Sequence, residues 1–145
     1  MTRTIQEVVE PAEFAAAWPV MRQLRPHLDE AAYLAQVELQ RREGYRMAAV
    51  WSRDRVVAVA GFRILTMLAR GRHLYVDDLV TDEASRGGGA GAALFEWLLG
   101  EARRERCERL HLDSGVQRFG AHRFYFARGM HIAAYHFGLA LDEDD

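Results

Sequence analysis

The sequence predicts an α/β domain built on one mixed sheet, and three observations carry that expectation. Segments of strand-like and helix-like periodicity follow one another in the order β-α-α-β-β-β-α-β-α-β. The chain has 145 residues, enough for one core and too few for two. No internal repeat, linker or low-complexity tract interrupts it, so residues 1–145 are expected to form a single domain.

Each element has a local reason. Ile5 to Val9 is a short β-branched run that suits an edge strand. Pro11 opens a helix with Phe14, Ala17, Trp18, Met21 and Leu24 at helical spacing, and Pro26 ends it. Asp29 is placed to cap a second helix, on which Ala32, Leu34, Val37 and Leu39 precede a stop at Gly44. Tyr45–Ser52 and Val56–Leu65 read as a hairpin turning at Arg53-Asp54, and His73–Val80 is the next strand. A helix from Ala90 to Glu105 carries Leu94, Trp97, Leu98 and Ala102 on one side. Arg109–Asp113 is a short strand, Phe119–Ala127 a short helix and Ile132–Leu141 a last strand. Asp142 to Asp145 is an acidic tail expected to fray.

Composition narrows the function classes. Half of the residues are apolar and 28% are charged, as in ordinary globular domains. The formal net charge of −2 gives no basic field for nucleic acid, and no apolar run approaches a membrane span. The N-terminal residues lack the apolar stretch of a signal peptide, and the single Cys107 fits a reducing compartment, so the cytoplasm is the expected location. All nineteen basic residues are arginine. No lysine is therefore available as a Schiff base, a phosphate clamp or a general base.

The most informative stretch is Arg86-Gly87-Gly88-Gly89-Ala90-Gly91, between a strand and a helix. Glycines inside a helix each cost about 1 kcal/mol relative to alanine. At a helix entrance they instead let backbone N–H groups surround an anion, aided by the helix dipole and by Arg86. The natural guest is a phosphate or pyrophosphate. A P-loop needs the lysine this chain lacks. A dinucleotide fold is closer, because Gly87, Gly89 and Ala92 satisfy G-x-G-x-x-A and Asp113 ends a later strand. Yet six residues separate Gly87 from Val80, where that fold turns almost directly off its strand. A glycine-rich loop with no ligand is the plainest alternative.

Arg86, Gly89 and Gly91 also meet R-x-x-G-x-G, and here the chain resembles the GCN5-related N-acetyltransferase superfamily. The preceding Tyr75–Ser85 run is similar to that family's strand and acidic approach, and Ala121–Met130 resembles its A-x-x-x-Y-x-x-x-G-F signature, with Met130 for phenylalanine. The matched blocks span residues 73–130. The resemblance implies a central twisted mixed sheet of six to seven strands with splayed parallel central strands, flanked by four helices. It implies acetyl-CoA as co-substrate, with Leu79, Val80 and Thr81 bonding the pantetheine arm. The amides of Gly87, Gly88, Gly89, Ala90, Gly91 and Ala92, with Arg86, would hold the pyrophosphate. Many members have asparagine where this chain has Arg118.

Acetyl transfer to an amine requires deprotonation of the ammonium, polarisation of the thioester and protonation of the leaving thiolate. Tyr125 matches the family's proton donor to sulfur; its plain alternative is a core aromatic. For the base, Asp77 is singled out by similarity of Tyr-x-acid-Asp-x-x-Val to spermidine/spermine acetyltransferases, with Asp78 as a structural partner of an arginine. Neighbours on a regular strand face opposite sides, so only one of the two is expected at the acetyl site. His111 and His122 are weaker candidates for the acceptor site, Cys107 reads as packing, and no spacing suggests a metal. The resemblance places acceptor binding in Leu24–Gly44 and at Tyr135-His136-Phe137. The acceptor expected is a primary amine, a cationic small molecule in the leading reading and a protein amine in the alternative. A homodimer through the last strand is a further expectation of the resemblance. Two rivals stand beside the enzyme: a non-catalytic acyl-CoA-binding module and an interaction domain with an empty site.

Overall fold

The structure, a computed structural model, describes residues 3–142. The expected fraying at 143–145 lies outside the described residues. Two compact units divide the chain after Leu112.

The first unit holds β1 (Arg3–Val8), α1 (Pro11–Leu24), α2 (Glu30–Arg42), β2 (Arg46–Ser52), β3 (Arg55–Met67), β4 (Gly71–Thr81), a short 3₁₀ turn (Glu83–Ser85), α3 (Ala90–Arg104) and β5 (Arg109–Leu112). The strands lie in the order β1-β2-β3-β4-β5. The first four pair antiparallel, and β5 pairs parallel to β4 after the crossover through α3. Local chemistry fixes the boundaries. Glu13 accepts from the Val9 and Glu10 amides at 3.0 and 2.9 Å at the entrance of α1. Asp29 caps α2 through the Ala32 amide at 2.8 Å. Arg53, with φ of 61°, makes the β2–β3 turn.

The sheet is covered on both faces. Phe14, Ala17, Val20 and Met21 of α1 and Tyr33 and Val37 of α2 pack on Met47, Ala49, Val59 and Val80. Leu94, Leu98 and Ala102 of α3 pack on the other face, against Val50, Ala60, Phe62, Leu74 and Val76. No described helix is long and apolar enough to cross a membrane.

The second unit contains α4 (Phe119–Ala127) and the chain beyond it. Four helices and a mixed sheet agree with the expected class, but among the described residues the sheet has five strands where six to seven were expected. The difference is Ile132–Leu141, which forms no strand. A strand has no hydrogen bonds of its own and exists only against a neighbour. Among the described residues this segment has no ladder partner, and Tyr135, Phe137, Leu139 and Leu141 are 83–95% exposed.

Candidate active site

One irregularity in β4 organises the site. Gly61 of β3 pairs with Asp78, and the next residue, Phe62, pairs with Val76. Asp77 is therefore an extra residue in β4, the bulged member of a β-bulge. Its effect appears in the packing. Leu74 and Val76 face α3, whereas Val80, of the same parity, faces α1 and α2. The bulge reverses the alternation, so Asp77 and Asp78 line one cavity together. This corrects the expectation that only one of them faces the site.

Each carboxylate has its own guanidinium. Arg63 of β3 donates from Nε to Asp77 Oδ1 and Oδ2 at 3.1 and 3.0 Å, and its Nη2 lies 2.9 Å from Oδ2. Burial pushes the Asp77 carboxyl above its ordinary value, and Arg63 pulls it part of the way back. Arg25, just beyond α1, donates from Nε to Asp78 Oδ1 at 2.9 Å and from Nη2 to the Asp77 carbonyl oxygen, also at 2.9 Å. That second bond satisfies a backbone group at the bulge. Tyr45 donates its hydroxyl to Asp78 Oδ2 at 2.7 Å, and burial followed by the Asp78 charge raises its phenol well above the usual range. Gly61 makes room for this bond: a Cβ there would overlap the Tyr45 hydroxyl and come within 2.6 Å of Asp78 Oδ2. The cavity measures about 340 Å³ and lies among α1, the α1–α2 connection, α2, β3 and β4.

The glycine turn lies at the far end of the same strand. Leu79, Val80 and Thr81 pair with Ala60, Val59 and Ala58 on the β3 side. On the other side β5 pairs only with His73–Val76, so among the described residues the β4 edge beyond has no ladder partner there. Gly87 and Gly89 have φ of 86° and 87°, and Gly89 is the N-cap of α3. Among the described residues no side chain caps that helix, and its first turn carries no acid, which leaves the amides of Ala90, Gly91 and Ala92 for an anion. Gly91 packs on Thr81, whose Oγ1 would lie 2.8 Å from a Cβ. Arg86 is exposed beside the turn. These features fit a pyrophosphate.

Asp82 anchors the approach to the turn. Its carboxylate accepts from Gln23 at 2.9 Å, from Arg55 at 3.1 Å and from Ser85 at 3.3 Å, and its amide donates to Val57 at 2.8 Å. The Gln23 bond is the chief cause of a carboxyl held below its ordinary value. Gln23 Oε1 also accepts from the Glu83 amide at 2.9 Å. Arg3, from β1, donates to the Gly88 carbonyl.

Tyr125 lies on α4 in the second unit and is buried there. Burial raises its phenol above the ordinary value; the charge of Arg118, which also hydrogen-bonds the side chain, opposes the rise. His122 bonds the Gly115 carbonyl at 2.8 Å and His136 pairs with Asp113 at 3.3 Å. Burial raises the Cys107 thiol. Among the described residues no group of three or more His, Cys, Asp or Glu is arranged to hold a metal ion.

Reading the sequence covered Arg25 only within the Leu24–Gly44 acceptor segment and Asp82 only within the Tyr75–Ser85 approach, and it missed Arg63, Tyr45, Gly61 and Arg3. The two adjacent acids signalled a need for partners. Nothing in the local sequence indicated which of nineteen arginines would meet it.

Comparison with known proteins places this geometry in a family. Residues 11–130 match the model of the acetyltransferase (GNAT) family. The chain is 32% identical over 135 residues to an uncharacterised N-acetyltransferase, YhdJ, of Bacillus subtilis (strain 168), covering 92% of this chain and 95% of that protein. Among solved structures, an acetyltransferase of Trypanosoma brucei is 23% identical with a TM-score of 0.78, covering 97% of this chain and all of that one. The aminoglycoside N-acetyltransferase AAC(6')-Iy in complex with CoA is 12% identical with a TM-score of 0.84, covering 96% and 94%. Glucosamine-6-phosphate N-acetyltransferase of Arabidopsis thaliana is 19% identical with a TM-score of 0.77, covering 98% and 100%. These three structures show likeness of fold. With its family model matched over most of its length, the chain belongs to the acetyltransferase (GNAT) family of acyl-transferring enzymes.

Proposed function

We propose that this protein transfers an acetyl group from acetyl-CoA directly to the primary amine of a small molecule, in the cytoplasm. One observation carries the reading: a single strand, β4, holds an acid-bearing cavity at its bulge and runs on into an uncapped, glycine-lined helix entrance. Acetyl-CoA supplies the activated acyl thioester. The amides of Gly87 to Ala92 and the charge of Arg86 hold its pyrophosphate, and the free edge at Leu79, Val80 and Thr81 bonds its pantetheine arm. Asp77 accepts the proton of the attacking ammonium. Its desolvation favours that step, and each carboxylate oxygen keeps lone-pair capacity beyond the Arg63 bonds. Tyr125, kept protonated by burial, donates its phenolic proton to the departing sulfur as the nitrogen–carbon bond replaces the carbon–sulfur bond. Cavity volume favours a small acceptor over a protein amine.

An amine-panel assay that measures free CoA thiol tests the reading. Turnover of at least one small primary amine is expected. Tight CoA binding without turnover across a broad panel would instead indicate a binding module.

We also propose a homodimer. Support comes from the C-terminal segment, whose alternate large side chains Tyr135, Phe137, Leu139 and Leu141 are exposed and whose backbone has no ladder partner among the described residues.

A further inference from the structure

The charges around the cavity are those of a neutral, not an acidic, site. Asp77 and Asp78 contribute two negative charges, and Arg63 and Arg25, each 2.9 Å from its carboxylate, contribute two positive ones. An acceptor that was only a cation would find both carboxylates already paired and two guanidinium groups in the wall. The arginines are nevertheless incompletely used. Arg25 spends Nε and Nη2 on Asp78 and on the Asp77 carbonyl, and its side chain is 40% exposed. Arg63 spends Nε and Nη2 on Asp77. Among the described residues the Nη1 groups of both make no hydrogen bond, and both arginines line the cavity. A guanidinium has five donors in a planar fork, and its spare edge suits an oxyanion. Gln36 and Gln40 add amide groups from α2.

From this arrangement we infer that the acceptor amine carries an oxyanion of its own, a carboxylate or phosphate, bound by Arg25 beside the carboxylates that receive its ammonium. The inference rests on the acetyl-transfer reading above and narrows its substrate class. The acceptor is a zwitterion of amino-acid or amino-phosphate type, and a polyamine is disfavoured. Arg25 then has two roles on separate edges: one holds Asp78 and the bulge carbonyl, and the other selects the substrate.

Matched acceptors test it through release of CoA thiol by the full chain. L-amino acids are compared with their decarboxylated amines, and phosphoethanolamine with ethanolamine, which separates carboxylate from phosphate. A charge-assisted hydrogen bond is worth enough for the anionic member of a favoured pair to show kcat/KM at least about tenfold higher. In Arg25→Gln the loss of the Asp78 and bulge-carbonyl bonds slows both members of a pair, and the kcat/KM preference for the oxyanion-bearing acceptor over its purely cationic counterpart should fall about tenfold. A purely structural arginine would affect both acceptors alike, and that result overturns the assignment. Should the variant fail to fold, the wild-type comparison decides alone. Equal or faster turnover of the decarboxylated and dephosphorylated amines overturns the inference and leaves acetyl transfer standing. Release of thiol from no acceptor overturns both.

Discussion

Asp77 is under opposed influences, desolvation and the Asp78 charge on one side and the Arg63 and Arg25 guanidiniums on the other, and desolvation is the largest. The sign of its pH dependence follows. A base must be unprotonated, so kcat/KM should fall as pH drops through a native pKa above the ordinary carboxylate value of 3.8. Asp77→Asn is expected to lower kcat by about 100-fold and to abolish that acid limb, and Tyr125→Phe to lower kcat similarly with little change in the KM for acetyl-CoA. A pH–rate profile for each variant checks both, and an unchanged rate removes the role assigned. The acids themselves were legible in the sequence; their partners were not. Arg25 lies 53 residues from Asp78 and Arg63 lies 14 from Asp77, so only folding identifies them.

Elements differ in how locally they are encoded. The glycine turn was readable because positive φ at Gly87 and Gly89 is a backbone requirement that the sequence states directly. Its support was not readable: Asp82 draws on Gln23 of α1 and Arg55 of β3. Asp82→Ala should raise the KM for acetyl-CoA several-fold and cost about 1 kcal/mol of stability by removing the bonds from Gln23, Arg55 and Ser85. Because the native Asp82 carboxyl is held below its ordinary 3.8, its stabilisation is complete above that value and is lost as pH falls through the lowered one. Thermal melts from pH 3 to pH 7 should therefore show wild type and Asp82→Ala converging at the acid end. The β4 bulge was hidden because Leu74, Val76, Asp78 and Val80 share one parity and read as an unbroken alternation. Its one trace was an acid in a core position.

At the scale of the molecule, the order of helices and strands through β5 and α4 was legible, since each has its own periodicity, caps or prolines. The last strand was not, because the alternation of Tyr135, Phe137, Leu139 and Leu141 describes a strand without supplying its neighbour. Light scattering after size exclusion should give twice the monomer mass at micromolar concentration, and Phe137→Ser with Leu139→Ser should shift it to monomer; a wild-type monomer throughout removes the proposed dimer. The bulge has one more consequence, best put in terms of deletion. Without Asp77, Asp78 would still oppose Gly61 and Val76 would still oppose Phe62, now as consecutive residues of a regular ladder. The remaining side chains of β4 would keep their faces. A chain shortened by that one residue should still give a cooperative thermal melt and should release CoA thiol no faster than Asp77→Asn does, leaving the same scaffold without its base.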